Sequence, residues 1–251
     1  MQAIATWLVA RPQNAVMGLA VTLLLPAPQL TSGVIMVLLV LEQGTKLAVI
    51  EGLIAAAVLL TVSLLFGVSI ASITSLMLGT WMPVLLLALL LLGTRSLTLV
   101  MQVMALFAVL AMLAFHVVVA DPAAFWEPYL LTMTELARQS NLQLNMEMFT
   151  PEVMTVSAVL AFWLLYVMGL LLGYALYKRL PGETAEFGRF RDFGFGRVIA
   201  MALAVASVLA FLVDAAWIQN VAFVMFVFFW IQGLAIVHWM HSESVLPVAA
   251  V

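Results

Sequence analysis

Residues 97–119 read LTLVMQVMALFAVLAMLAFHVVV, twenty-three positions without one Asp, Glu, Lys or Arg. As a helix rising 1.5 Å per residue, such a segment reaches about 35 Å, enough to cross the ~30 Å hydrocarbon core of a bilayer. It does not alternate in polarity as the strand of a transmembrane barrel must. Working outward, similar runs occur at 14–25, 29–41, 47–66, 72–92, 152–177, 197–213 and 218–240, each bounded by charges, prolines or glycines. The pattern predicts an all-α, polytopic transmembrane helical bundle of about eight spans. Its first two spans are short, and they flank Pro26-Ala27-Pro28. Read the other way, those two are a single helix broken at the prolines, which gives seven.

Composition agrees. Of 251 residues 66% are hydrophobic and 8% charged, and the mean hydropathy is +1.22, a balance that excludes a water-soluble domain. The runs leave no room for a separate soluble domain, so residues 1–251 are read as one integral membrane domain. Without cysteine there is no disulfide, no thiolate metal site and no redox pair. Met1 to Ala10, with Trp7, is apolar, and Arg11 follows rather than precedes it. That order argues against a cleavable signal peptide and for a short helix lying along the interface.

Charge placement sets the orientation. With a cytoplasmic N-terminus, Arg11, Lys46, Arg95, Lys178, Arg179, Arg189, Arg191 and Arg197 fall inside, and only Arg138 falls outside. Both termini are then cytoplasmic. Residues 120–151 form an acidic outer loop, with Asp121, Glu127, Glu135 and Glu147 and then Glu152 just beyond it. The loop is too long for a plain connection, and its 133–148 stretch reads as an amphipathic helix. Trp126 and Tyr129 are placed to anchor at the headgroup boundary, and the helix is either a surface helix or a lid.

Small residues four apart mark helix contact faces in lipid. Gly169 with Gly173, Ala202 with Ala206 and Ala210, and Gly52 with Ala56 form such stripes, expected to pack inside the bundle. A further set, Ser63, Gly67, Ala71, Ser75 and Gly79, keeps the spacing across a turn near 67–69. Pro83 should free a backbone carbonyl in the middle of its helix.

Polar groups inside a bilayer each need a reason. Gln102 and His116 sit fourteen apart, on roughly one face of their helix. Gln232, His238 and His241 belong to the last run. Placed by topology, His116, Asp214, Gln219 and Asn220 all reach the outer half of the membrane, where they are candidates to line a ligand pocket with Trp217 as its aromatic wall. Against this stands the plainer account, in which each bonds a neighbouring helix or headgroup water. Glu51, near Lys46 and Glu42, is expected in a surface ion pair. No metal set, cofactor motif or paired nucleophile and base is present in the sequence, so no cofactor and no enzymatic activity are expected.

The inner loop 178–197 reads KRLPGETAEFGRFRDFGFGR, a basic aromatic segment against the membrane. Arg189, Phe190, Arg191, Phe193 and Arg197 are its candidate contacts. Either the arginines snorkel to anionic lipid while the phenylalanines dip into the acyl boundary, or the loop docks a cytoplasmic or membrane protein. Its acidic residues and its position argue against nucleic acid.

The short opening pair, Phe190 to Phe193 before the seventh run, and Ile231-Gln232-Gly233-Leu234-Ala235 running to His238 resemble the YybS-like family of uncharacterised bacterial membrane proteins. That resemblance implies the inner membrane of a bacterium. It also implies a distant, S-component-like relation to the substrate-binding subunits of energy-coupling-factor transporters, with a solute pocket near the outer face and a helix surface for a coupling subunit. Those subunits carry an Ala-x-x-x-Ala step in the first helix, where this chain has Gly18-x-x-x-Thr22. Two functional readings follow. One is a binder of a small solute or lipid-like ligand, the recognition part of a transporter. The other is a non-transporting scaffold or assembly factor that docks a partner through the 178–197 loop.

Overall fold

A computed structural model describes residues 2–140, 149–182, 186–213 and 215–243. These residues are helical throughout, with no strand among them. The helices are α1 (Gln2–Ala10), α2 (Pro12–Leu23), α3 (Pro28–Gln43), α4 (Thr45–Leu65), α5 (Ile70–Thr94), α6 (Leu97–Val118), α7 (Pro122–Gln139), α8 (Pro151–Tyr177), α9 (Gly196–Leu212) and α10 (Ala216–Ser242). A 3-10 turn at Phe190–Asp192 precedes α9. Every apolar run has become one helix, and five of them, α4, α5, α6, α8 and α10, are long and apolar enough to cross a membrane. α3 and α9 are apolar but shorter, and α2 has 12 residues. The helices group into two compact units, Met1–Val100 with Leu164–Arg189, and Met101–Trp163 with Phe190–Val251.

The first unit is built around α3. From Ser32 to Leu41 every residue of this helix is buried, so it is enclosed by protein on all sides. It stays separate from α2 because a residue before proline is kept out of the helical region. Ala27, between Pro26 and Pro28, is left-handed with φ +53°. The two helices then fold back on each other. Thr31 Oγ1 donates to the Thr22 carbonyl at 2.7 Å and Ser32 Oγ to that of Leu19 at 2.9 Å, while Gly18 faces Ile35. The pairing Gly18–Ile35, Leu19–Ser32, Thr22–Thr31 runs antiparallel. Trp81 of α5 completes a chain by donating Nε1 to Ser32 Oγ at 2.8 Å.

Gly169 and Gly173 make the close approach their spacing predicts. A Cβ on Gly173 would meet Val37 Cβ at 2.6 Å and the Val34 carbonyl at 3.0 Å, and one on Gly169 the Gln29 carbonyl at 2.8 Å. α8 therefore lies backbone to backbone on α3. In α4 the buried face is Ala48, Glu51, Gly52, Ala55, Leu59 and Ser63, so Ala55 rather than Ala56 continues the Gly52 stripe. The Ser63-to-Gly79 set is not a contact stripe, because Gly67, Ala71, Ser75 and Gly79 are exposed and α4 and α5 are separate helices. Nor is Glu51 a surface ion-pair partner. It is 4% exposed, and the Gln43 amide, turned to donate, reaches both carboxylate oxygens at 3.1 and 3.2 Å.

α5 continues through Pro83, whose missing N–H leaves the Gly79 carbonyl without its helical donor. The hydroxyl of Tyr166 on α8 donates to that carbonyl. Tyr166→Phe should therefore cost about 1 kcal/mol. Its cost should shrink in a Pro83→Ala background, where residue 83 regains the amide that bonds Gly79. Equal costs in both backgrounds, measured by equilibrium unfolding in mixed micelles, would show that the hydroxyl does not serve the proline gap.

In the second unit α10 packs on α9 and on the 3-10 turn. α7 starts earlier than the expected 133–148 stretch, whose residues 141–148 lie outside the described residues. Its start is set by Asp121, which caps the amides of Ala123 and Ala124 at 3.0 and 3.1 Å, and by Pro122 at the first helical position. Trp126 donates to Thr155 Oγ1 at 2.8 Å and meets Phe115, Phe125 and Tyr129. This ring is thus held by protein, while Tyr129 is exposed.

Candidate functional site

Of the residues expected to line an outer pocket, His116, Trp217, Gln219 and Asn220 are described. His116 Nδ1 lies 2.9 Å from the Met112 carbonyl one turn back on α6, and its ring meets Phe115 edge-on. Asn220 is buried, and its amide donates to the Glu152 carbonyl at 3.4 Å. Trp217 and Gln219 are exposed. Asp214 lies outside the described residues. The hydrogen bonds of His116 and Asn220 go to backbone carbonyls of their own surroundings and do not join the two side chains. Among the described residues no group of three or more His, Asp or Glu comes together as a metal set.

Side chains of the neighbouring helices hold the described residues 186–197 of the basic aromatic loop, in two groups. In the first unit, Tyr174 on α8 holds Phe187 and Gly188. Its hydroxyl accepts from the Phe187 amide at 3.0 Å and donates to the Gly188 carbonyl at 3.1 Å. The Leu97 amide, at the start of α6, donates to the Phe187 carbonyl at 2.6 Å. Gly188 adopts φ +107°, which favours glycine. Glu186 receives Lys178 at 3.1 Å and Arg189 at 3.7 Å. The Lys178 hydrogen bond, with Arg189 adding to it, holds the Glu186 carboxyl below the usual carboxylate range.

In the second unit, two glutamines clamp the next residues. Gln102 donates to the carbonyls of Gly194 and Phe195 at 3.1 and 3.3 Å, and Gln232 accepts from the Phe195 amide at 3.0 Å. Phe195 is 2% exposed, wedged between Phe193, Phe228 and Phe229. Arg191 reaches the end of α10, donating to Ser242 Oγ at 2.8 Å and pairing with Glu243 at 3.6 Å. A hollow of about 400 Å³ lies beside it, lined by Arg191, Asp192, Phe193, Ile236 and Trp239.

These bonds correct the expectation that the phenylalanines dip into the acyl boundary. Phe187, Phe193 and Phe195 are 3%, 5% and 2% exposed, and Phe190 is half-buried. Phe193 lies beneath the surface as support, while Arg189 and Arg197 are exposed. The role of Gln102 and Gln232 escaped the sequence. Its signal was a lone amide within an otherwise apolar helix, where it needs a partner.

α9 differs from every other long helix. Not one of its 17 residues is buried. Ala206 and Ala210 share with Ile199 and Leu203 the least exposed face of the helix, while Ala202 is exposed, so the expected alanine stripe is only half-covered and Ala200, Ala204 and Ser207 lie open.

Five spanning-length apolar helices make this an integral membrane protein in contact with lipid. Residues 127–250 match a family model described as predicted membrane protein (DUF2232), which covers just under half of the chain. No curated protein and no solved structure matches the chain.

Proposed function

We propose that this chain is a non-catalytic multi-pass membrane scaffold whose exposed α9 face receives a helix of a second membrane protein. The observation that carries the reading is an apolar helix with no buried residue and a line of exposed small residues, Ala200, Ala204 and Ser207, along one face. Lipid tails need no small residues opposite them, whereas a helix partner gains from the close backbone approach that alanine permits. Arg197, in the first turn of α9, is exposed and makes no ion pair among the described residues, and it is the contact for an acidic group on that partner. The anchored 190–197 segment holds this first turn in place.

In this reading all eight apolar helices are embedded in the inner membrane of a bacterium with both termini in the cytoplasm. Because α3 returns along α2, the pair leaves the side of every later charge unchanged, however deep its tip reaches.

The absence of cysteine makes the test direct. Single cysteines at 200, 204 and 207, carrying a benzophenone, should crosslink in native membranes to one discrete protein. Probes at 201, 205 and 212 should give lipid adducts, and Ala204→Leu should remove the band from position 200. Lipid adducts at all six positions would sink the proposal.

A solute binder, the S-component-like recognition part of a transporter, is the second reading. It draws on Asn220, a buried amide whose 3.4 Å bond is long enough for a polar ligand to displace. A small molecule that co-purifies and is lost on Asn220→Ala would favour it.

A further inference from the structure

An apolar groove of about 400 Å³ opens on the surface of the first unit between α2 and α4. Val16, Met17, Ala20 and Val21 form one wall, Ile54 and Val58 the other, and Pro12 and Gln13 lie at one end. That end can be assigned a charge. α2 and α3 are antiparallel, and α4 turns back along α3 after Gly44, bringing Gly52 against Met36, so α2 and α4 rise from the same side. Arg11 directly precedes α2, and Lys46 lies in the first turn of α4. On α4 the exposed positions Lys46, Ile50, Ile54 and Val58 follow at four-residue steps, so Lys46 stands at the foot of the groove wall.

Both cations are exposed, and neither has an ion-pair partner among the described residues. Lys178 and Arg189, by contrast, share Glu186. The positive ends of both helix dipoles point to the same foot.

The depth fits one leaflet. From Arg11 to Val21 an α-helix rises about 15 Å, half of the ~30 Å hydrocarbon core. Beyond it the tip carries exposed Leu24 and Leu25 and no charge, as suits chain that stays within the bilayer.

We propose that the groove is a binding site for one anionic phospholipid, its acyl chain lying between α2 and α4 and its phosphate held by Arg11 and Lys46. The apolar walls do not select, because any lipid tail fills them. Selection comes from the two unpaired cations, which attract a net negative headgroup and gain little from a zwitterionic one. This site lies in the first unit and does not depend on the α9 reading.

Native mass spectrometry from micelles holding equimolar palmitoyl-oleoyl phosphatidylglycerol and phosphatidylcholine tests it. The protein should retain one phosphatidylglycerol about tenfold more often than phosphatidylcholine. Arg11→Gln with Lys46→Gln should bring the two lipids near parity, and Val21→Trp, which fills the groove, should release both. Equal retention by the unaltered protein, or a preference that survives the double substitution, overturns the proposal. So does phosphatidylglycerol retained undiminished by Val21→Trp. All three positions are exposed, and unchanged unfolding curves of the variants confirm that the lipid readout is not a folding defect.

Discussion

Replacing Gly173 with alanine is expected to destabilise the protein by about 3 kcal/mol, the upper end for overpacking. The new methyl would lie 2.6 Å from Val37 Cβ and 3.0 Å from the Val34 carbonyl. Neither neighbour is the tip of a flexible side chain, so relief requires α8 and α3 to move apart. α3 is enclosed from Ser32 to Leu41, and such a shift disturbs every helix that touches it. The same substitution at Gly233 should have the opposite sign. Nothing lies within 4 Å of a Cβ there, and alanine removes the helix penalty of glycine, a gain of up to about 1 kcal/mol. Equilibrium unfolding in mixed micelles measures both. A neutral Gly173→Ala would mean that α8 does not rest on α3 as described.

Ser32→Ala should cost about 2 kcal/mol, because it strands the Trp81 indole N–H in a dry interior and removes the donor to Leu19. Trp81→Phe loses the same bond from the other side. The double variant should therefore be less unstable than the sum of the singles by about 1 kcal/mol, as residues in one network behave. Strict additivity would show that the serine and the tryptophan act separately.

Legibility in the sequence was uneven, and for a physical reason that individual residues expose. The helix bounds came through almost unaltered, from the 97–119 run now seen as α6 to the break at Pro26–Pro28. Gly169 and Gly173 were legible as contacts. Of Ala202, Ala206 and Ala210, at the same spacing, none is buried and Ala202 is exposed. Nothing local distinguishes the two stripes, since what differs is the presence of α3 beside one of them. Pro83 announced a free carbonyl, but only the fold could supply Tyr166, 87 positions from Gly79, to fill it. Of the candidate ligand residues, Asn220 is buried with a backbone partner and Trp217, three positions earlier, is exposed, a difference the local sequence does not encode.

What the amino-acid order determined on its own is the set of apolar helices, their lengths and the confinement of charge to the segments between or at the ends of them. A bilayer enforces these, because each segment must satisfy its own backbone and each charge must stay near water. What the tertiary arrangement alone decided is which apolar surfaces meet protein and which meet lipid. In water the two would differ in polarity; in hydrocarbon they do not. The enclosure of α3, the clamping of Phe195 by Gln102 and Gln232, the pairing of Glu51 with Gln43 and the openness of α9 are all fixed by which helices lie side by side.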